Sequence, residues 1–117
     1  MWHDRNRRRR GHALITKELG EKIPPLYAND GAENPDEVKA VVKLFSIISH
    51  WTWYITEWDA NSGVCFGLVD GFESELGYFD LTELSEVVVA GTVPVVERDL
   101  HWDPTPLGEI RAAIAAI

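Results

Sequence analysis

Cysteine is almost absent. Cys65 stands alone in 117 residues, so the chain cannot close an intramolecular disulfide or build a zinc site on cysteine pairs. That scarcity suits a reducing compartment, and the expected setting is cytoplasmic. Missing too are a Gly-rich phosphate loop of the P-loop or dinucleotide type and a His-Glu-x-x-His helix, which sets aside the standard nucleotide folds and the zincin proteases. No cofactor is expected. Long apolar runs are lacking: Lys17, Glu18, Glu21 and Lys22 interrupt the stretch that follows the basic start, where a secretory leader needs roughly 7 to 15 apolar residues. Nothing later approaches the ~20 apolar residues of a membrane span. Positive charge is scarce except in one place. Five Arg against one Asp give residues 1–11 a charge of +4, whereas six basic against 18 acidic residues leave 12–117 at −12.

What is present is the composition of a folded domain, with 45% hydrophobic and 26% charged residues in 13.2 kDa, the size of one core. A body at −12 repels a phosphate backbone, so direct nucleic-acid binding through the folded surface is not expected. A protein with a basic surface is the expected partner. Arg5, Arg7, Arg8, Arg9 and Arg10 form a run without apolar spacing. It reads as a basic disordered tail over residues 1–11, able to make a weak phosphate contact, ahead of a single α+β domain over 12–117.

Thr16 is placed to cap a short helix over Lys17 to Ile23, stopped by Pro24-Pro25. Val38 to Ile48 reads as a strand, and His50 to Trp58 as a second. Asp59-Ala60-Asn61-Ser62-Gly63 then turns the chain into a third strand over Val64 to Val69. Asp70-Gly71 breaks it before a short fourth strand over Leu76 to Phe79. Asp80 with Glu83 starts a helical turn or two to about Val87, a variant of the capping box. Val93 to Asp99 reads as a last strand whose Pro94 argues for an edge or a strand-start position. Thr105 as cap and Pro106 at the first position open a C-terminal helix with an apolar stripe of Leu107, Ile110, Ile114 and Ile117. The predicted architecture is α+β: an antiparallel meander of four to five strands with short helices near the N-terminus, after the fourth strand and at the C-terminus.

Chemistry has few carriers. Cys65, between Val64 and Phe66 in a strand, reads as a small core residue. His50 and His101 each sit at a strand boundary beside a Trp, and a shared ligand or acid–base role needs them to converge. The carboxylates are more suggestive, because Glu57, Asp59, Asp70, Glu73, Glu75, Glu97 and Asp99 all fall near strand ends. In the enzyme alternative, Glu57, Glu75, Glu97 and Asp99 bind Mg²⁺ or Mn²⁺ and activate water for phosphodiester cleavage, with Arg98 on the developing charge. Strict alternation places Trp51 and Trp53 on one face of the second strand and Tyr54 and Trp58 on the other; if helices cover only one face, the other shows rings rimmed by carboxylates, and if helices at each end of the chain cover both, the rings are core. In the binding reading, Trp53 and Trp58 anchor a basic protein partner while Glu73, Glu75, Glu97 and Asp99 steer and select it.

An ordered series of motifs adds to this. Lys43-Leu44-Phe45, Trp51-Thr52-Trp53-Tyr54 with Glu57 and Asp59, Phe66-Gly67-Leu68-Val69 with Gly71, Glu75-Leu76-Gly77-Tyr78-Phe79, Leu81-x-x-Leu84 and Glu97-Arg98-Asp99 with Trp102 follow one another, and Pro104-Thr105-Pro106-Leu107 closes the series. Over about Leu14 to Arg111 the chain resembles the bacterial family called domain of unknown function 2958. The resemblance supplies no catalytic residues. It implies a small protein encoded on a mobile element near anti-restriction functions, and hence an anti-defence protein, anti-restriction or anti-CRISPR, that engages a nucleic-acid-handling protein of the host.

Overall fold

A computed structural model describes residues 2–117. In chain order the elements are α1 (Arg7–Arg10), α2 (Lys17–Lys22), a 3-10 turn (Pro35–Glu37), β1 (Lys39–Ala40), β2 (Val42–Ser46), β3 (Thr52–Trp58), β4 (Val64–Asp70), β5 (Ser74–Asp80), α3 (Leu81–Glu86), β6 (Val88–Val89), β7 (Val93–Pro94), β8 (Val96–Arg98), β9 (Thr105–Pro106) and α4 (Leu107–Ala115). β2 to β5 form the expected meander, and β8 adds on beside β2, giving a five-stranded antiparallel sheet in the order β5-β4-β3-β2-β8. The fold is α+β, with helices near both ends of the chain.

Local chemistry explains most element ends. Thr16 Oγ1 accepts from Leu19 N at 3.1 Å and starts α2, and Asp80 Oδ1 accepts from Thr82 N at 2.8 Å and starts α3. Two predicted strands divide. Lys39–Ala40 leave the main sheet to pair with Thr105–Pro106. Within Val93–Asp99 the chain changes partner at Val95, whose N–H donates to Val87 O at 3.0 Å while its carbonyl accepts from Ile47 N at 2.9 Å. The expected Thr105 cap is corrected: Thr105 lies in β9, its hydroxyl donates to Asp103 O, and Pro106 precedes α4 without a side-chain cap. Of the predicted stripe, Leu107 and Ile110 are buried and Ile117 is fully exposed.

The sheet has two covered faces. Residues directly opposite in the ladder share a face, so Leu44, Trp53 and Val69 lie together on one side and Lys43, Tyr54 and Leu68 on the other. The first face packs on Leu14, Ile15, Ile23, Leu81 and Val95, and α4 brings Leu107 and Ile110 onto the second. Between Ile55 and Glu57 the register of β3 against β4 slips by one residue. This bulge inverts the faces beyond it, so Trp58 joins Trp53 in the first core while Glu57 turns to the second face opposite Phe66. The expectation that Tyr54 and Trp58 share a face is thereby corrected. The bulge needs Gly67, because a Cβ there would stand 1.8 Å from Tyr54 O.

The N-terminal segment is the largest departure from expectation. Trp2 to Gly11 is not a disordered tail; it packs on the body, while Met1 lies outside the described residues. Trp2 Nε1 donates to Thr82 Oγ1 at 2.9 Å, and Asn6 Nδ2 donates to Ser85 O at 2.7 Å. Arg10 has no exposed side-chain surface and pairs with Asp4 at 2.6 Å. Asp4 is the residue that the arginine run conceals: its Oδ2 also accepts from Leu14 N and ties the segment to the core.

Candidate functional site

The β-bulge places one acid where acids are rare. Glu57 is buried, and its two carboxylate oxygens accept from Tyr27 N at 2.6 Å and Asn29 Nδ2 at 3.0 Å, with no cation paired to it among the described residues. The same bonds hold the Pro24–Asp30 segment along the end of β3, where Trp58 N donates to Pro24 O at 3.0 Å. Tyr27 takes the left-handed conformation, φ 74°, which a bulky L-residue adopts at a cost and which the short bond to Glu57 enforces. Its ring is thereby put in solvent, 60% exposed, beside Tyr78, 59% exposed.

Tyr78 and Phe66 meet edge-on at 4.9 Å between ring centroids. The Tyr78 phenol is pushed above its ordinary 10.0 by desolvation first, then by Tyr27, Asp30 and Glu57. Those neighbours define the surface: Tyr27, Phe66, Leu76 and Tyr78 present rings and an aliphatic chain, with Asp30 and Glu57 next to them. On the other face of the same strand, Trp51, Val69, Gly71, Phe72, Glu73 and Glu75 line a cleft of about 250 Å³. Phe72 is 93% exposed there and meets Trp51 in a T-shaped contact at 5.4 Å between ring centroids. Both surfaces border β5. Chemically they suit a ligand with positive charge and apolar surface, through carboxylates and ring faces together.

The residues singled out from the sequence scatter. Trp53 and Trp58 are 8% and 3% exposed, so as partner anchors they are corrected to core residues; Trp58 Nε1 donates to Gly20 O. Glu73 and Glu75 are exposed beside β5. Glu97 and Asp99 lie at the opposite edge on and after β8, four strand spacings or about 19 Å from Glu75. Glu57 is at the far end of β3 from Glu97, since Glu97 pairs with Phe45, Phe45 with Thr52, and Thr52 begins that strand. The proposed metal set of Glu57, Glu75, Glu97 and Asp99 is therefore not brought together, and among the described residues no three His, Cys, Asp or Glu side chains converge on a metal position. Asp99 is already engaged by Lys43 at 3.9 Å and by His101 N at 2.9 Å. His50, bonded to Gly71 O, and His101 lie beyond opposite ends of β2. Cys65 is fully buried, and desolvation, with Asp80 second, pushes its thiol far above the usual range, so it is no nucleophile.

The arginines divide as well. Arg10 is internal: Nε donates to Val96 O at 2.8 Å, Nη1 to Asp4 and His12 O, and Nη2 has no partner among the described residues. Arg9 is exposed. Arg5, Arg7 and Arg8, with Trp2, Lys17 and the edge of Trp58, line a cleft of about 390 Å³.

Sequence reasoning missed Tyr27 and Tyr78 because neither belongs to a motif with assigned chemistry. A signal existed: Gly67 in the interior of an otherwise mostly apolar strand marks a bulge, and a bulge moves Glu57 across the sheet. A family model described as "Protein of unknown function (DUF2958)" matches residues 14–115, nearly the whole chain. No curated protein and no solved structure matches the chain.

Proposed function

The chain belongs to the DUF2958 family, and on that premise we propose that it is a non-enzymatic protein-interaction domain that engages the basic surface of a nucleic-acid-handling protein, in an anti-defence role in the cytoplasm. The observation that supports this reading is the coincidence of exposed rings with unpaired, exposed acid around β5: Phe72 lies beside Glu73 and Glu75 on one face, and Tyr27 and Tyr78 stand together on the other. Rings supply contact area at small entropic cost, and the acidic body steers a cationic partner toward them. The anchoring role given to Trp53 and Trp58 passes to Tyr27, Tyr78 and Phe72. Of the steering carboxylates, Glu73 and Glu75 remain at this surface.

The test is capture of a partner from host lysate, followed by association kinetics on that partner. Its association rate falls markedly as salt rises from roughly 50 to 300 mM, because screening then acts within about 6 to 14 Å. Replacing Glu73 and Glu75 by Gln lowers the rate at low salt. A partner whose association ignores salt and both substitutions overturns the electrostatic reading.

The cleft lined by Arg5, Arg7, Arg8 and Lys17 supports a second, separate contact, a weak one to phosphate. Titration with inorganic phosphate moves the side-chain resonances of those arginines. Unmoved resonances remove this contact.

A further inference from the structure

We propose that the partner of the acidic surface docks by adding a strand to the open edge of β5: an extended basic segment, antiparallel, with apolar residues toward Leu76 and Tyr78 and Lys or Arg toward Glu75. The inference rests on the interaction reading above and specifies how the partner is held.

The pairing pattern shows which backbone groups are free. Gly71 N donates to Glu73 O at 3.0 Å and Leu81 N donates to Gly63 O at 3.0 Å. Between these ends the register runs without a slip from Val64 opposite Asp80 to Asp70 opposite Ser74. In an antiparallel ladder bonded and non-bonded pairs alternate, so Glu75, Gly77 and Phe79 bond to β4. Ser74, Leu76 and Tyr78 then turn their N–H and C=O groups outward. β5 is terminal in the sheet, and none of the described residues pairs with that outer side.

Exposed edges are ordinarily blunted by Lys, Pro, a bulge or a covering segment. β5 runs Ser74-Glu75-Leu76-Gly77-Tyr78-Phe79-Asp80 and has neither Lys nor Pro, nor any irregularity against β4. Its side chains indicate the chemistry of the occupant. On one face the incoming strand meets Leu76 and Tyr78, with Tyr27 and Phe66 beyond; on the other it meets Glu75, with Glu73 and Phe72 in the adjoining cleft. Glu73 and Glu75 have no ion-pair partner among the described residues. Two uncompensated carboxylates on one side of the edge, opposite the apolar pair Leu76 and Tyr78, favour an alternating apolar and basic strand, with main-chain bonds supplying affinity and the alternation supplying selectivity. A second copy of this chain, at net charge −8, lacks that complement.

The probe is a seven-residue peptide of alternating Lys and Val, compared with oligolysine of the same charge, at low salt and with hydrogen exchange read residue by residue. In the free protein the amides of Leu76 and Tyr78 exchange fast, and Glu75, Gly77 and Phe79 are protected. With the peptide, Leu76 and Tyr78 become protected. N-methylation of its valines, whose N–H groups face β5, weakens binding about tenfold or more, whereas methylation of its lysines does not. Leu76→Pro removes one outward N–H and weakens binding similarly; Leu76→Lys, which leaves the backbone able to pair, repels the same peptide and covers the case in which the proline variant does not fold. Binding of peptide and oligolysine alike without protection of Leu76 and Tyr78 overturns strand addition and leaves the interaction reading standing. Absence of any binding by either cationic probe overturns both. Protection of Leu76 and Tyr78 that grows with protein concentration alone identifies a second copy as the occupant and overturns the basic-strand assignment.

Discussion

The two edges of one sheet are finished in opposite ways. At β8 the outward backbone is sealed by side chains of the N-terminal segment: Arg10 Nε donates to Val96 O at 2.8 Å, and Arg98 N donates to His12 Nε2 at 3.1 Å. Arg98 closes the loop by donating from its own Nε to Ala13 O. At β5 the corresponding groups face outward, and none of the described residues covers them. The contrast extends to charge, for the acids near β8 have basic neighbours in Arg10, His12, Arg98 and Lys43, whereas Glu73 and Glu75 have none within ion-pair distance among the described residues. An edge that is covered contributes stability, and an edge left open is a place where function resides.

The seal is the part most open to attack. Asp4→Ala leaves the Arg10 guanidinium buried without its counter-charge, and the expected loss is about 3 to 5 kcal/mol in urea unfolding. Arg10→Met leaves the Asp4 carboxylate buried without its counter-charge and the Val96 carbonyl without its donor, and costs a similar amount. If the two variants are equally harmless, the N-terminal segment does not seal β8. On the β5 side the most sensitive residue is Glu57. Glu57→Ala strands the Tyr27 N–H and the Asn29 amide, and the midpoint shift should correspond to about 1 to 3 kcal/mol. The same variant frees Tyr27 from its left-handed conformation, so the two tyrosines lose their fixed spacing and partner binding falls with stability.

A pH scan separates the edges. Burial holds the His12 pKa below its ordinary 6.5, with Arg10 and Arg98 adding to the effect and Glu97 opposing it, and Nε2 must stay unprotonated to accept from Arg98 N. Because the folded value is the lower one, the contribution of His12 is complete above pH 6.5 and is lost as pH falls through that value toward the folded one. Exchange of the Arg98 amide should quicken as pH falls below 6.5, after correction for intrinsic rates, while that of Gly77 does not. Equal quickening at both residues would mean that the sheet loosens as a whole. The smallest effect belongs to the open edge itself: Leu76→Lys touches an exposed side chain and should change stability by no more than about 0.5 kcal/mol.

Much of the architecture was legible from residues alone. Turn chemistry at Asp59–Gly63 and Asp70-Gly71 delimits β3, β4 and β5, and the Thr16 and Asp80 caps set the starts of α2 and α3 within the chain, because these are local signals read over a few residues. The burial of Cys65 follows from its apolar neighbours for the same reason. The site was not legible in that way. Alternation assigns faces only until a bulge occurs, and the one between Ile55 and Glu57 exchanged the places of a carboxylate and a tryptophan.

The sequence by itself determined that this chain is an acidic α+β domain with an antiparallel meander, since strand periodicity, turns and caps are written into short windows. Only the tertiary structure decided which edge is covered. Whether an arginine run is tail or seal depends on one aspartate, a carbonyl at Val96 and a histidine at position 12 meeting across a sequence separation of 86 residues. Which edge β8 takes depends on its pairing with β2 rather than β5. Such contacts form only when the chain has closed on itself, so no local pattern specifies them.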